Sequence, residues 1–196
     1  MGQRRQRKTV ESCNMRSISM HDFIETVRRL ATDGFATEPM TRLLTQTRLH
    51  DDDLKPFLHF VAGGYTRTLI YRNDEVEVLA LCWPHDSATP IHDHAGQRCW
   101  MVAHSGIFTV DDYRQISGAR APGRAVVERL FTTPNVTIGM ADFRDTERDI
   151  HRVSVSRDCE RAVSIHVYAK PYTSCLIFDE AARQAREMRL CYDFTA

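Results

Sequence analysis

The sequence predicts a mainly β fold, a barrel or sandwich of short strands preceded by a few short helices. Two observations support this. From residue 65 onward, short runs that alternate apolar and polar residues, or are rich in β-branched residues, are separated by turn residues. Before that point, apolar residues recur at helical spacing. We expect one domain over residues 18–196, with helices in 18–63 and the barrel in 64–196, because 196 residues can bury one sizeable core.

Composition limits the function. The formal net charge is zero, so attraction to nucleic acid or to a membrane surface is not expected. No apolar run reaches the roughly 20 residues that cross a bilayer, and the N-terminus lacks the apolar segment of a secretory signal. The six cysteines include no Cys-x-x-Cys pair, which argues against a zinc knuckle or a disulfide framework. We therefore expect a cytoplasmic, monomeric protein with reduced thiols that acts on a small molecule.

The N-terminal region begins with a basic segment. Residues 1–17 are poor in apolar residues and are expected to form a disordered tail. A role in binding nucleic acid is the alternative reading of its arginines.

Three short helices are expected next. The first begins after Ser19, a residue favoured at a helix N-terminus, and ends at Gly34. The second has Pro39 in its first turn. The third begins at residues 51–53 and ends at residues 63–64. Their apolar positions are Phe23, Ile24, Val27, Leu30, Met40, Leu43, Leu44, Leu54, Phe57, Leu58 and Val61.

Strands follow over the remaining residues. They are expected near residues 66–72, 76–83, 89–94, 98–103, 107–114, 124–130, 135–139, 151–155, 161–168 and 174–178. Turns are expected at residues 73–74, 104–106, 117–118 and 133–135. Residues 179–187 have helical propensity but lie between two apolar runs, so a short helix and the arm of a hairpin both fit.

A pair of histidines stands out in the third of these strands. In a strand, successive side chains point to opposite faces, so His92 and His94 share a face while Asp93 points away. Two imidazoles that converge in this way form half of a metal site. Taken alone, the pair could equally be a surface pair or a hydrogen-bonded pair.

The residues that follow this pair carry a resemblance. The run His92-x-His94-x(4)-Cys99-x(6)-Gly106 resembles the first motif of the cupin superfamily, in which His-x-His is followed by a glutamate ligand and a glycine. Cysteine stands here in the glutamate position, which resembles the thiol dioxygenases and most closely the cysteine dioxygenases. The resemblance runs from about residue 64 to residue 178. It implies a cupin double-stranded β-helix, which is a jelly-roll barrel.

A third histidine lies where the second cupin motif places its own. His151 follows Asp149 and Ile150, and a capped turn histidine is the alternative interpretation. The resemblance implies that His92, His94 and His151 hold Fe(II). Three neutral imidazoles leave a divalent iron its full charge. Such a centre can bind an anionic thiolate and still leave a position for O2.

The run 162–168 alternates with a period of two, so Ser164, His166 and Tyr168 share one face and three apolar residues share the other. A half-exposed strand would alternate in the same way. Beside a three-histidine site, however, Ser-x-His-x-Tyr is typical of thiol dioxygenases. The resemblance implies hydrogen bonds from Ser164 to His166 to Tyr168 that hold the tyrosine hydroxyl near the open positions of the metal.

Tyr65 and Arg67 also share a strand face. An arginine inside a barrel is costly unless it meets an anion, and a surface arginine is the ordinary alternative. In cysteine dioxygenases this Tyr-x-Arg pair binds the substrate carboxylate, so the resemblance assigns that role to Arg67, helped by Tyr65. Enzymes of the mercaptopropionate type carry glutamine at the arginine position, and enzymes that act on aminothiols lack the arginine.

The resemblance also implies a crosslink. In animal-type members, the cysteine that matches Cys99 is joined by a thioether to the tyrosine that matches Tyr168, and both residues are present here. The sequence departs from those members at residues 169–171, where they have a serine followed by two prolines. This difference leaves the pose of Tyr168 open.

The resemblance therefore implies an iron-dependent enzyme that oxidises L-cysteine with O2 to cysteine sulfinate, in the breakdown of cysteine towards sulfinate and taurine. Three alternatives remain open. They are a 3-mercaptopropionate dioxygenase, a cupin that binds a metal without oxidising thiols, and a noncatalytic β-sandwich that binds other proteins.

Overall fold

The structure is a computed structural model that describes residues 15–195. Its helices are α1 (Met20–Thr32), α2 (Thr37–Gln46) and α3 (Asp51–Leu54), followed by a 3-10 turn (Lys55–Phe57). Its strands are β1 (Arg16–Ile18), β2 (Thr47–Leu49), β3 (Thr66–Arg72), β4 (Val76–Pro84), β5 (Ile91–His92), β6 (Arg98–Ser105), β7 (Phe108–Gly118), β8 (Gly123–Val136), β9 (Ala141–Arg144), β10 (Ile150–Val155), β11 (Arg161–Ala169), β12 (Ser174–Asp179), β13 (Gln184–Arg189) and β14 (Phe194–Thr195). None of the helices within this range has the length and apolar character needed to cross a membrane.

The strands form two main sheets. One has the order β14-β3-β4-β11-β6-β9, and the other closes on itself in the order β10-β5-β12-β13-β8-β7. The remaining strands, β1 and β2, pair in parallel near the helices. The predicted fold class, a mainly β jelly-roll barrel with short N-terminal helices, is confirmed.

The six-stranded sheet has a buried residue layer on each face. On the outer face, Val163, Ile165 and Val167 of β11 pack in one cluster with residues of α1, α2 and α3. On the inner face, alternate residues of β4 and β6, such as Leu81 and Met101, pack with residues of β7 and β10 from the closed sheet. The space between the two sheets is where the polar side chains of β11 point.

The first two helices form as predicted. The Ser19 side chain accepts a hydrogen bond from the Asp22 amide at 3.1 Å, which caps α1. The third helix is shorter than predicted, because regular helix ends at Leu54 and the 3-10 turn ends at Phe57. Pro56 lies in that turn and has no amide hydrogen to continue a helical ladder.

The predicted limit of the N-terminal tail is wrong at its end. Arg16 and Ser17 belong to β1, whose residues pair with Thr47–Leu49. The buried side chain of Ile18 adds apolar packing to this pairing. The rest of the predicted tail, residues 1–14, lies outside the described residues.

One turn prediction is also corrected, and one open alternative is decided. Residues 133–135 were expected to turn, but β8 runs through them to Val136. The expected turn is replaced by a local distortion of the strand. Asn135 has φ +59°, and the register between β8 and β7 shifts at this point. Residues 179–187 form a hairpin rather than a helix, with Asp179 paired to Gln184.

Gly106 is the glycine of the first motif, and its backbone requires that residue. It lies between β6 and β7 with φ +82°, where side chains are rarely tolerated. A Cβ atom at this position would also collide with Ala162 of β11. The glycine therefore permits a tight turn against the strand that carries Ser164, His166 and Tyr168.

Candidate metal centre

Three histidines converge between the sheets. His92 ends β5, His94 follows it in the next loop, and His151 lies on β10 directly opposite His92. Their possible ligand atoms all lie within 4.8 Å of one another. The predicted strand over 89–94 is limited to Ile91–His92, yet His94 still reaches the cluster. The structure thus brings together the three side chains that the sequence singled out, while their role as ligands stays a prediction.

Nδ1 of each of the three histidine rings lies within hydrogen-bond distance of an acceptor oxygen. Nδ1 of His92 lies 3.0 Å from the Pro90 carbonyl oxygen. Nδ1 of His94 lies 3.0 Å from the Asp149 carbonyl oxygen. The backbone amide of His94 also donates a hydrogen bond to the Asp149 carboxylate at 2.8 Å. Because an acceptor at Nδ1 favours the tautomer with a proton there, the Nε2 lone pairs are free for a metal ion.

A buried charge network supports the third ring. Nδ1 of His151 lies 3.0 Å from the Asp142 carboxylate, which also accepts a hydrogen bond from Arg144 Nε at 2.7 Å. Arg144 is fully buried and pairs with Asp112 on its other side. Since each charge in this network has an opposite partner, Asp142 is held in place behind the ring of His151.

Two of the three rings, those of His92 and His151, are kept neutral. Burial, together with the neighbouring His94, lowers the pKa of His92 to about 3. Burial also lowers the pKa of His151 well below its usual range. Three imidazoles whose Nε2 atoms are free are a donor set that fits a divalent transition metal.

The polar face of β11 forms a chain of hydrogen bonds. Ser164 Oγ lies 2.9 Å from His166 Nε2, and His166 Nδ1 lies 3.3 Å from the Tyr168 hydroxyl. Trp83 Nε1, which can only donate, gives a hydrogen bond to Ser164 Oγ at 2.9 Å. The hydroxyl hydrogen of Ser164 is then available for His166 Nε2, so that His166 Nδ1 donates to Tyr168. Sequence reasoning missed the contribution of Trp83 to this chain.

Cys99 and Tyr168 are cross-strand partners. They lie directly opposite each other in the pairing of β6 with β11, and both belong to the buried cluster between the sheets. Burial raises the pKa of the Cys99 thiol well above its usual range. The thiol is therefore protonated at neutral pH.

Arg67 lines the same cavity as the three histidines. This cavity has a volume of about 30 Å³. The Arg67 side chain is 12% exposed, and its nearest acidic partner is Glu77, with Nη2 and Oε1 separated by 3.8 Å. Its buried Nε has no hydrogen-bond partner in the part of the chain that the structure describes. Tyr65 also lines the cavity, and its ring stacks on Trp83 at 4.7 Å.

Several residues of the site were not predicted. Glu77 is buried on the inner face, opposite Tyr168 in the pairing of β4 with β11. Tyr172, Met188 and Leu190 line the cavity from the segments after β11 and around β13. The available signal was weak, since it amounts to an acidic residue within an apolar strand and an aromatic residue within a polar turn.

Comparison with known proteins gives a family match over most of the chain. A model of the family described as "Cysteine dioxygenase type I" matches residues 11–181. The curated protein "Cysteine dioxygenase type 1" of Danio rerio is 24% identical over 185 residues, which cover 91% of this chain and 88% of that protein. The protein of the same name from Homo sapiens is 25% identical over 181 residues, which cover 89% and 86%.

The similarity to solved structures is lower. A cupin domain from Bordetella pertussis Tohama I is 16% identical, with a TM-score of 0.35, and the match covers 58% of this chain and 100% of that one.

Proposed function

The chain belongs to the cysteine dioxygenase type I family, and from this premise we propose that it is an iron(II)-dependent enzyme that oxidises L-cysteine with O2 to cysteine sulfinate. One observation supports the substrate above the others. Within residues 15–195, the largely buried guanidinium of Arg67, whose Nε has no hydrogen-bond partner, lines the cavity of the three histidines.

In this proposal, His92, His94 and His151 hold the iron through their Nε2 atoms. When bound, iron supplies positions for the substrate thiolate and for O2, and the electrons that activate O2. The neutral imidazoles add no negative charge, so the thiolate is attracted to the centre. Asp142 and Asp149 keep two of the rings in position through the hydrogen bonds at Nδ1.

Arg67 binds the carboxylate of the substrate. Burying a guanidinium without an anion is costly, and a carboxylate can accept two parallel hydrogen bonds from it. Tyr65 packs beside Arg67 in the cavity wall. With the carboxylate at Arg67 and the sulfur at the histidine cluster, the two ends of the substrate are fixed and its orientation follows.

Tyr168 supplies a hydroxyl beside the reacting atoms. Burial raises the pKa of Tyr168 well above its usual range, so the phenol keeps its proton. His166 and Ser164 fix the direction of that hydroxyl through the hydrogen-bond chain. Tyr168 can therefore donate a hydrogen bond, or a proton, to an oxygen atom at the centre. We also propose that Cys99 and Tyr168 become joined by a thioether.

Oxygen uptake tests the proposal. Iron-loaded protein is given L-cysteine, 3-mercaptopropionate or cysteamine, and the initial rates of O2 consumption are compared. We expect the highest kcat/KM with L-cysteine and a much lower value with cysteamine, which has no carboxylate for Arg67. A preference for 3-mercaptopropionate would support the second candidate, since this acid also presents a thiol and a carboxylate. No uptake with any thiol would support a cupin that does not oxidise thiols.

The proposal extends to the cellular compartment and the oligomeric state. We place it in the cytoplasm, which is supported by the free thiols of the cysteines in residues 15–195. Action as a monomer stays a prediction.

A further inference from the structure

Tyr172 enters the cavity from the turn that follows β11. The strand ends at Ala169, and the chain then turns at Lys170, which has φ +73° and whose amide donates to the Glu75 carbonyl at 2.9 Å. This turn directs Tyr172 back towards the histidines. Its ring is nearly perpendicular to that of Tyr168, with the ring centres 5.5 Å apart, and lies 6.4 Å from the ring of His94.

The Tyr172 hydroxyl is unused. Within residues 15–195 it makes no hydrogen bond, and the half-buried side chain lines the cavity, whereas tyrosine hydroxyls that leave water usually find a partner. Of the other two phenols of the cavity, Tyr168 faces His166, whereas the Tyr65 ring stacks on Trp83 and its hydroxyl likewise makes no hydrogen bond within residues 15–195. Burial raises the pKa of Tyr172 well above its usual range, so its hydroxyl is a neutral donor.

The charges of the cavity explain why a further donor is needed. Among the residues of 15–195 that line it, Arg67 is the only one with a permanent positive charge. The Glu77 carboxylate, 3.8 Å from Arg67, already shares that positive charge. A substrate carboxylate offers about four lone-pair sites, and one guanidinium edge fills two of them. The remaining sites require neutral donors that face the same space.

We propose that Tyr172 is a substrate-binding residue whose hydroxyl donates a hydrogen bond to the carboxylate that Arg67 binds. The pair then selects small thiols that carry a carboxylate over those that do not. This inference rests on the proposed function, because it assumes that a carboxylate-bearing thiol occupies the cavity.

Anaerobic binding tests the inference without turnover. The affinity of iron(II)-loaded protein for L-cysteine and for cysteamine is measured by calorimetry, with Tyr172→Phe compared to the wild type. This substitution removes the hydroxyl and keeps the ring. We expect about a tenfold loss of affinity for L-cysteine, because a hydrogen bond to a charged group is lost, and little change for cysteamine. Tyr71→Phe is the matched control, since Tyr71 packs in the cluster on the outer face of the sheet.

The outcomes separate the inference from the proposed function. Unchanged affinity of Tyr172→Phe for L-cysteine, or an equal loss for both thiols, overturns the inference. Selective loss for L-cysteine in a protein that consumes no O2 supports the inference and overturns the proposed oxidation. A wild-type protein that does not bind L-cysteine overturns both. Equal unfolding temperatures for the wild type and Tyr172→Phe show that any loss of affinity is local.

Discussion

The two faces of β11 are equally buried and chemically opposite. Its alternating residues are each 6% exposed or less, in the order Val163, Ser164, Ile165, His166, Val167 and Tyr168. The valines and isoleucine pack against the helices, whereas the polar residues meet partners that satisfy their hydrogen bonds. Burial therefore does not separate structural residues from those of the candidate site in this protein.

The two faces differ in what their burial contributes to the stability of the fold. Apolar groups gain free energy when they leave water, whereas polar groups lose it unless hydrogen bonds replace those to water. The outer face thus stabilises the fold, and the inner face keeps a polar cavity open at some cost in stability. Substitutions on the inner face should change binding and rate, and substitutions on the outer face should change the free energy of unfolding.

The largest effect on the inner side is expected at the histidine cluster. His151→Ala should lower iron affinity by at least about 100-fold and abolish thiol oxidation, because one of three ligands is lost. Iron content per chain and O2 uptake measure this. His85→Ala is the control, since that side chain is exposed. Full iron occupancy in His151→Ala would remove His151 from the ligand set.

Arg67 is the next test of the inner side. Arg67→Ala should lower kcat/KM for L-cysteine about 100-fold, since the carboxylate loses a charged partner in a buried site. Arg67→Lys should recover only part of this, because an ammonium lacks the planar fork. Arg29→Ala is the control variant, since Arg29 is exposed. Steady-state kinetics that are the same in Arg67→Ala and the wild type would mean that the carboxylate binds elsewhere.

On the outer face, the opposite result is expected. Ile165→Ala should lower the free energy of unfolding by about 2–4 kcal/mol, because it leaves a cavity between the sheet and the helices. At temperatures where the variant is folded, its KM for L-cysteine should equal that of the wild type. Denaturant unfolding and steady-state kinetics on one preparation measure both quantities. A large change in KM with little change in stability would contradict the division between the faces.

The smallest effect is expected from the crosslink. Cys99→Ser should prevent a thioether to Tyr168 while part of the activity remains, because the histidines and Arg67 are unchanged. Intact-mass spectrometry of the wild type after extensive turnover should reveal a species lighter by two hydrogen atoms, with peptides containing Cys99 and Tyr168 linked. The absence of linked peptides after such turnover would show that the two side chains are not suitably aligned.

Periodicity predicted much of this arrangement. The alternation around His166 gave the polar and apolar faces of β11, and the helical spacing after Ser19 gave α1. The family resemblance, rather than spacing alone, joined His151 to the pair near residue 92. These inferences worked because they depend on local geometry, or on motifs that are read along the chain.

Other features depend on how distant segments meet. Tyr172 reaches the cavity only through the turn at Lys170, and Glu77 gains its role from its position beside Arg67. Asp142 supports His151 because β9 lies near β10, and β9 has too few residues to show an alternating pattern. The register between strands decides each of these contacts, and no short run of sequence encodes it.

Isotope labelling of the product tests the central claim most directly. Iron-loaded protein is given L-cysteine under isotopically labelled O2, and the product is analysed by mass spectrometry. The account predicts cysteine sulfinate in which both oxygen atoms on sulfur carry the label. Formation of cystine, or of sulfinate with oxygen derived from water, would contradict it.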